Sequence, residues 1–500
     1  MAVRQARVKN NGAAAAETSC PDAGKAGNFY FERRRGDWLL TNDWGRYVTL
    51  PPEKFHQFLA GKILNSDPLG KELESNGFVR DRLDFSRLAK NYRTRNAFLW
   101  QGPSLHILVV TLRCNHKCLY CHSSAVAPAD ASRDMSFETA KAAVDMIFQS
   151  PSPSLVIEFQ GGEPLLNWPV VRFVIRYAKA KNKVVGKNLQ LALVTNMSLM
   201  DEKKLKFLLD SEVSLCTSLD GPRELHEKNR IYLGGSSYDR AASWIREISR
   251  RYGSEQAPKR KVYKPSALMT TTRLSLPLWR SIVDEYVQLG MEGIFLRPLS
   301  PIGYAKRVWP KIGYSGEEFV AFYRQALDYI LKINLDGREF MERMTTIALA
   351  KILKQKDPGF VDLRSPCGAG IGQMAYNYDG SVYTCDEGRM VAHQGNELFR
   401  IGDVAGGYDQ AVSSQSCRSM CVVSNLETQP SCRQCVYKPY CGICPVHNYE
   451  AQGSLCGNMP SSDYCAVHKG IFSVIFERLE DPRSRSVFES WTRERVEEPA

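Results

Sequence analysis

Three cysteines stand close together in Cys114-Asn-His-Lys-Cys118-Leu-Tyr-Cys121, a C-x3-C-x2-C spacing. Three thiolates on one loop can take three irons of a 4Fe-4S cluster and leave the fourth iron open to a substrate or cofactor. The competing chemistry is a zinc site completed by His116 or His122. A larger set follows downstream: Cys367, twelve residues, Gly380, four residues, Cys385, then Cys432-x2-Cys435-x5-Cys441-x2-Cys444, and Cys465. Zinc ribbons made from C-x2-C pairs would account for Cys432, Cys435, Cys441 and Cys444 but leave Cys367 and Cys385 unexplained. Of 15 cysteines, ten lie between Cys367 and Cys465, so the isolated ones are Cys20 and Cys216. Cys216 falls in an apolar run and reads as core. His226 and His447 read as ordinary hydrogen-bonded histidines sooner than as proton carriers.

Clustered thiols are metal ligands in a reducing compartment and disulfides in an oxidising one. The first nine residues carry scattered charges and no apolar h-region follows, so the expectation is a soluble, cytoplasmic protein. The apolar run at 105–112 is too short to span a bilayer. With 500 residues, 43% apolar and 24% charged, composition excludes wholesale disorder and a membrane channel, and leaves room for two or three domains. The net charge of +12 favours anionic partners, yet the basic residues are dispersed and carry no nucleic-acid motif.

These cysteines need a frame. Residues 1–27 lack periodicity and read as a flexible leader. From Phe29 an alternating pattern predicts a β-hairpin, followed by helices over 52–62 and 69–76; the basic segment 90–96 reads as a linker. Strands are then expected at 105–112, 155–160, 189–195, 213–219, 266–272 and 293–298, with helices between them. One such helix, 136–149, has Ser136 as its cap and Phe137, Ala140, Val144, Ile147 and Phe148 on one face. Six β/α units imply an α/β fold with a parallel sheet, most simply a partial (β/α)6 TIM-like barrel whose site lies at the strand C-terminal ends. A helix over 315–334 ends the alternation. The region from Cys367 is short of long periodic elements, so metal and not a large apolar core is expected to hold it, and a helix over 466–479 follows.

A C-x3-C-x2-C loop after the first strand of a β/α barrel resembles the radical S-adenosylmethionine (SAM) superfamily. Phe159-Gln160-Gly161-Gly162-Glu163-Pro164 is similar to that family's GGEP motif, which implies that the backbone there and Glu163 hold the methionine amino group. Tyr120 matches the aromatic position near adenine, Val194-Thr195-Asn196 the ribose-contacting strand end, and Ser218-Leu219-Asp220-Gly221-Pro222 ends the fourth strand. The resemblance covers about 104–298. It implies Tyr120, Gly161, Gly162, Glu163, Asn196, Ser218 and Asp220 as cofactor-binding residues, with Cys114, Cys118 and Cys121 on the SAM-binding cluster.

The downstream cysteines resemble the SPASM extension of peptide-modifying radical enzymes, which carries two auxiliary 4Fe-4S clusters. Carried over, Cys367, Cys385 and Cys444 would serve one cluster, and Cys432, Cys435, Cys441 and Cys465 the other. The x2 spacing before Cys444 departs from the usual x3. The fourth ligand of the first cluster stays open among Cys417, Cys421, Cys456 and none. Asp386 matches the position of a base in sulfatase-maturing members, and equally reads as a turn acid beside the Asp379-Gly380 hairpin. The module around Trp38-Leu39-Leu40-Thr41-Asn42 is similar in pattern to winged-helix-like leader-binding modules, and a plain structural cap is the equal alternative.

The domain expectation is therefore a leader at 1–27, a small α+β module at 28–96, the partial barrel at 97–335, a SPASM-type domain at 336–480 and a tail at 481–500. The whole resembles His-Xaa-Ser system radical SAM maturases. That implies reductive SAM cleavage to a 5′-deoxyadenosyl radical and oxidative modification of a peptide or small protein. A flavodoxin- or ferredoxin-type reductant and a second maturase are the implied partners. The alternatives are a sulfatase-maturating, formylglycine-generating enzyme, and a non-catalytic Fe-S carrier or zinc-stabilised binding module.

Overall fold

In the Tyr30–Arg34 and Asp37–Thr41 strands, paired antiparallel, the connection is the two residues Arg35-Gly36, with φ of 48° and 104°. Two positive φ values make the tight turn whose twist suits a hairpin, and glycine at the second position accommodates it. The computed structural model describes residues 26–63, 66–252 and 265–493 and divides the chain into two units, up to Leu88 and from Ala89 onward. In the first unit a third strand, Tyr47–Leu50, completes the sheet, and helices Pro52–Leu59 and Pro68–Ser75 follow. Leu40, Val48, Leu50, Phe55, Phe58, Leu73 and Phe78 form its core, with Trp38 stacked on Phe55 at 4.6 Å. The expected leader lies outside the described residues up to residue 25, and its last two residues are tied down. Ala26 bridges Val79, and the Gly27 N–H donates to the Phe78 carbonyl at 2.7 Å. Residues 90–95 are helical, part of Phe85–Arg95, whose segment contains no glycine or proline to stop it, and the break between the two units falls within this helix, after Leu88.

The second unit is built on a nine-stranded sheet. In spatial order it runs Leu296–Arg297, Ser266–Thr270, Val213–Ser218, Asn188–Val194, Ser154–Gly161, Leu105–Thr111, Gln373–Tyr376, Ser381–Tyr383 and Arg400–Asp403. The first six are parallel, as the β/α alternation requires. The expected sixth strand is divided at Phe295: Gly293–Ile294 pairs with Met341–Glu342, and Leu296–Arg297 returns to the main sheet. The helix Phe137–Ile147 starts at Ser136, whose Oγ accepts from the Thr139 N–H, and buries Ala140, Val144 and Ile147 on the sheet. Phe137 is the exception to that face, half exposed and edge-on to Phe173. Burying each large apolar chain of this layer contributes roughly 1.5–3 kcal/mol.

The cysteine-rich region departs from expectation in one respect. Its first forty residues enlarge the barrel's apolar core instead of standing apart from it. Gln373–Tyr376 adds a parallel strand to Leu105–Thr111, and Met374, Ala375, Tyr376 and Val382 join the same core as Leu108 and Phe159. The Asp379-Gly380 turn then leads antiparallel into Ser381–Tyr383. Helices Gly316–Leu335, Asp463–Leu479 and Pro482–Trp491 pack together beyond. No helix among the described residues is long and apolar enough to cross a membrane.

Candidate active site

The loop that bears Cys114, Cys118 and Cys121 is fixed at both ends. At its start, the Gly162 N–H donates to the Thr111 carbonyl at 2.9 Å and the Glu163 N–H to the Arg113 carbonyl at 2.7 Å. A Cβ on Gly161 would lie 2.1 Å from the Thr111 oxygen, and one on Gly162 would lie 2.2 Å from the Arg113 oxygen. Glycine is needed here so that the second strand's end can meet the backbone leading into Cys114. At its far end, His116–Cys118 forms a short antiparallel ladder with Arg230–Tyr232, which sets Cys118 opposite Arg230.

Arg230 ties three features together. Its guanidinium lies 5.2 Å over the Tyr120 ring, its Nε is 3.3 Å from Asp220 Oδ2, and its terminal nitrogen is 3.8 Å from Cys118 Sγ. The Tyr120 hydroxyl donates to the same Asp220 carboxylate, 2.8 and 2.7 Å from its two oxygens. Burial raises the pKa of Asp220, and Arg230 works against that rise. A buried carboxylate is tolerated only when paired and hydrogen-bonded.

His116 stacks flat on Tyr232 at 4.6 Å; its Nε2 meets Ser237 Oγ at 2.9 Å and its Nδ1 meets Asn196 Nδ2 at 2.9 Å. Ser237 is shared with His226 Nε2, also at 2.9 Å, while His226 Nδ1 accepts from the Asp220 N–H. Burial, with Arg230 nearby, lowers both histidines to about 3, so they are neutral struts. That leaves His116 no free nitrogen for zinc. The other zinc candidate, His122, uses Nε2 on the Ser300 carbonyl at 3.0 Å.

A cavity of about 200 Å³ gathers all three thiols with Tyr120, Gly161, Gly162, Asn196, Ser218 and Arg230. Glu163 and Asp220 do not line it. Glu163 is buried behind the wall, accepting from the Thr195 hydroxyl at 2.7 Å, the Asn196 N–H at 2.8 Å and the Leu165 N–H at 3.0 Å. In this arrangement the Glu163 carboxylate supports the third strand's end. Asn196 likewise braces the cysteine loop, its Nδ2 donating to Asn115 Oδ1 at 3.0 Å.

The donor set fits an iron–sulfur cluster. All three cysteines are free thiols on one cavity wall. Among the described residues no three His, Cys, Asp or Glu side chains converge as tightly as one metal ion needs; cluster ligands each take their own iron and need not. Burial raises Cys114 and pushes Cys118 up to about 12, so metal binding must expel protons. The His116 N–H to Cys114 Sγ at 3.4 Å and Arg230 beside Cys118 favour the thiolates.

The downstream cysteines fall into two groups. Cys367, Cys385 and Cys444 share one small core with Met420 and Val446. Cys385 and Cys444 each precede a helix, their sulfurs accepting from the Gly388 N–H at 3.3 Å and the His447 N–H at 3.4 Å. The second group, Cys432, Cys441 and Cys465, surrounds Leu426, Ile443 and Met459, and Cys435 acts electrostatically on Cys441 and Cys465. The short Cys441-x2-Cys444 spacing therefore spans the two groups. Cys417 and Cys421 join neither: they lie beside a separate cavity with Gly370 and Tyr408, the Cys417 thiol donating to the Gly370 carbonyl at 3.8 Å. Cys456 is exposed, and Cys20 lies outside the described residues.

Asp386 is buried and ion-paired to Arg389 at 2.8 Å, and lines neither this cavity nor the larger one of about 430 Å³ beyond it. Cys216 is not in the apolar layer: Val213 and Leu215 face that core, and Cys216 alternates to the opposite face near Glu158 and Ser266. His447 is a buried wall residue of the larger cavity, its Nδ1 without a hydrogen-bond partner among the described residues. Sequence reasoning missed Arg230 and Ser237. Their role depends on the pairing of Cys118 with a strand more than a hundred residues away, which no local motif announces.

Residues 108–254 match the radical SAM superfamily. An uncharacterised protein of Methanocaldococcus jannaschii is 33% identical over 129 residues, 26% of this chain and 42% of that protein, so this chain spans less than half of that relative's length. A cysteine-type anaerobic sulfatase-maturating enzyme of Clostridium perfringens strain 13 is 24% identical over 394 residues, 75% of this chain and 98% of the relative. The solved structure of native anSMEcpe with bound AdoMet and Kp18Cys peptide superposes with a TM-score of 0.62 at 19% identity, covering 77% of this chain and all of that one.

Proposed function

We propose, from the premise that this chain is a radical SAM enzyme, that it oxidatively modifies a peptide or small protein, by a cross-link or related maturation of a His-Xaa-Ser repeat protein. The observation that carries this reading is the cavity in which all three C-x3-C-x2-C thiols meet four strand ends. Cys114, Cys118 and Cys121 would hold the SAM-binding 4Fe-4S cluster. Cys367, Cys385 and Cys444 would serve one auxiliary cluster, and Cys432, Cys435, Cys441 and Cys465 the other. When bound, the cluster and SAM supply reductive cleavage of the sulfonium and hydrogen abstraction by the adenosyl radical.

The chain's own residues do the rest. Gly161 and Gly162 bring the backbone to the cavity, Tyr120 presents a ring held in place by Asp220, and Arg230 offsets thiolate charge at Cys118. Asn196 and Ser218 offer polar groups on the wall. The larger cavity, of about 430 Å³ and bounded by Arg297, Phe295, Glu387 and Cys444, has room for a substrate side chain. In this reading residues 28–96 take a leader peptide, the protein works in the cytoplasm, and a flavodoxin- or ferredoxin-type protein supplies electrons, with a second maturase as a further partner.

The relative that matches over 98% of its length supports a second reading, formylglycine generation on a sulfatase. Anaerobic reconstitution with reductant and SAM tests the enzyme reading: 5′-deoxyadenosine is expected from the native chain, and none from the Cys114→Ala/Cys118→Ala/Cys121→Ala variant. Co-expression with small neighbouring reading frames, read by mass spectrometry, separates the two substrates. A cross-link removes two hydrogens, whereas cysteine-to-formylglycine conversion removes sulfur.

A further inference from the structure

We infer that Asp362 supplies the fourth ligand at the first auxiliary iron–sulfur site, completing Cys367, Cys385 and Cys444; the inference rests on the reading that these three thiols hold a cluster. Among the described residues no fourth cysteine joins them: Cys417 donates to the Gly370 carbonyl at 3.8 Å and lies with Cys421 on a separate cavity, and Cys456 is exposed. Residues 361–362 are wedged between the two thiol-bearing loops. A Cβ on Gly442, between Cys441 and Cys444, would lie 2.3 Å from the Asp362 carbonyl oxygen, and one on Gly368, next to Cys367, would lie 2.5 Å from the Val361 side chain. The Gly368 N–H also donates to the Val361 carbonyl at 3.2 Å.

From this position Asp362 lines the larger cavity together with Cys444 and Glu387. Its negative charge acts on both Cys367 and Cys444. Glu387, the other acid here, also acts on the three thiols, but it is ion-paired to Arg297 at 3.7 Å, whereas that guanidinium reaches Asp362 only at longer range. The Asp362 carboxylate has no hydrogen-bond or ion-pair partner among the described residues. A carboxylate on a short side chain, facing Cys367 and Cys444 and free of any hydrogen bond or close ion pair among the described residues, is a suitable donor to the one iron the cysteines leave uncovered. With Asp362 in place that iron is closed to outside ligands.

The test uses the full chain carrying Cys114→Ala, Cys118→Ala and Cys121→Ala, so that signals arise from auxiliary sites alone. Anaerobically reconstituted, this parent should hold about eight irons, and its reduced EPR spectrum should be unchanged by cyanide. Adding Asp362→Ala should make one signal cyanide-sensitive or cost about one iron per chain, as a four-iron cluster loses its unprotected corner. Asp362→Cys should restore both the iron count and the insensitivity, and Asp362→Asn covers the case in which the alanine variant does not fold. A parent as cyanide-sensitive as Asp362→Ala, or an alanine variant identical to the parent in iron and spectrum, overturns the assignment. Cys367→Ala/Cys385→Ala in the parent should remove about four irons; if it removes none, the cluster reading itself fails and the inference with it.

Discussion

Arg230 and Cys118 sit directly across an antiparallel strand pair, with the guanidinium 3.8 Å from the sulfur. A fixed cation there stabilises the more negative state of anything the sulfur holds. Arg230→Gln should keep the iron content and lower the midpoint potential of the Cys114/Cys118/Cys121 cluster. A loss of roughly 1.4 kcal/mol would appear as about 59 mV for one electron. EPR redox titration reads it; an unchanged or higher potential contradicts the role.

The same arginine is half of a buried pair. Asp220→Asn leaves Arg230 and the Tyr120 hydroxyl facing a neutral group, and should destabilise the chain by about 3–5 kcal/mol. Asp220→Asn combined with Arg230→Met should cost less than the two single changes added together, because no charge is stranded. Denaturant unfolding of the four proteins measures the coupling, and strict additivity would count against it.

Gly162→Ala should act on metal binding through the backbone. Its Cβ would meet the carbonyls of Arg113 and Leu112 at 2.2 and 2.6 Å, immediately before Cys114. The expected result is loss of about four irons per chain with far-UV circular dichroism preserved. Full iron retention would mean the loop yields at little cost.

Much of this was legible in the residues. The strand and helix alternation from 105 onward follows from period, and Ser136 and Ser315 mark helix starts that the structure confirms with N–H to Oγ bonds. The cysteine loop and the glycines at 161 and 162 lie where the strand ends place them. What escaped is non-local. The strand Gln373–Tyr376 is four buried residues whose partner is Leu105–Thr111, and a short apolar run does not say which edge it will join. A motif likewise shows residue type and not which way a carboxylate turns, as at Glu163 and Asp220. Both turn inward, to Thr195 and to Tyr120.

Acid should weaken the fold through His106, buried between the Pro103 carbonyl and the Tyr376 hydroxyl at 3.2 Å each. Burial lowers it from 6.5 to about 3. Above pH 6.5 neither folded nor unfolded chain protonates it, so it contributes nothing to pH dependence. Between 6.5 and 3 the unfolded chain takes up a proton that the folded chain refuses, and stability falls by up to about 1.4 kcal/mol per pH unit for this residue. Denaturation midpoints across that window should fall less steeply in His106→Asn; an equal slope would show that His106 is charged in the fold.

His106 and Tyr376, in contact across the sheet, are 270 residues apart in the chain. At ribosomal rates of about 5–20 residues per second, the first barrel strand waits roughly 15 to 55 s for its neighbour to be made. Through that interval the 105–111 strand offers an open apolar edge to whatever else is nearby. Yield in a foreign host should therefore be governed by chaperone supply and elongation speed during synthesis. A gene cut short before residue 373 should yield aggregated protein, however complete its first cysteine loop.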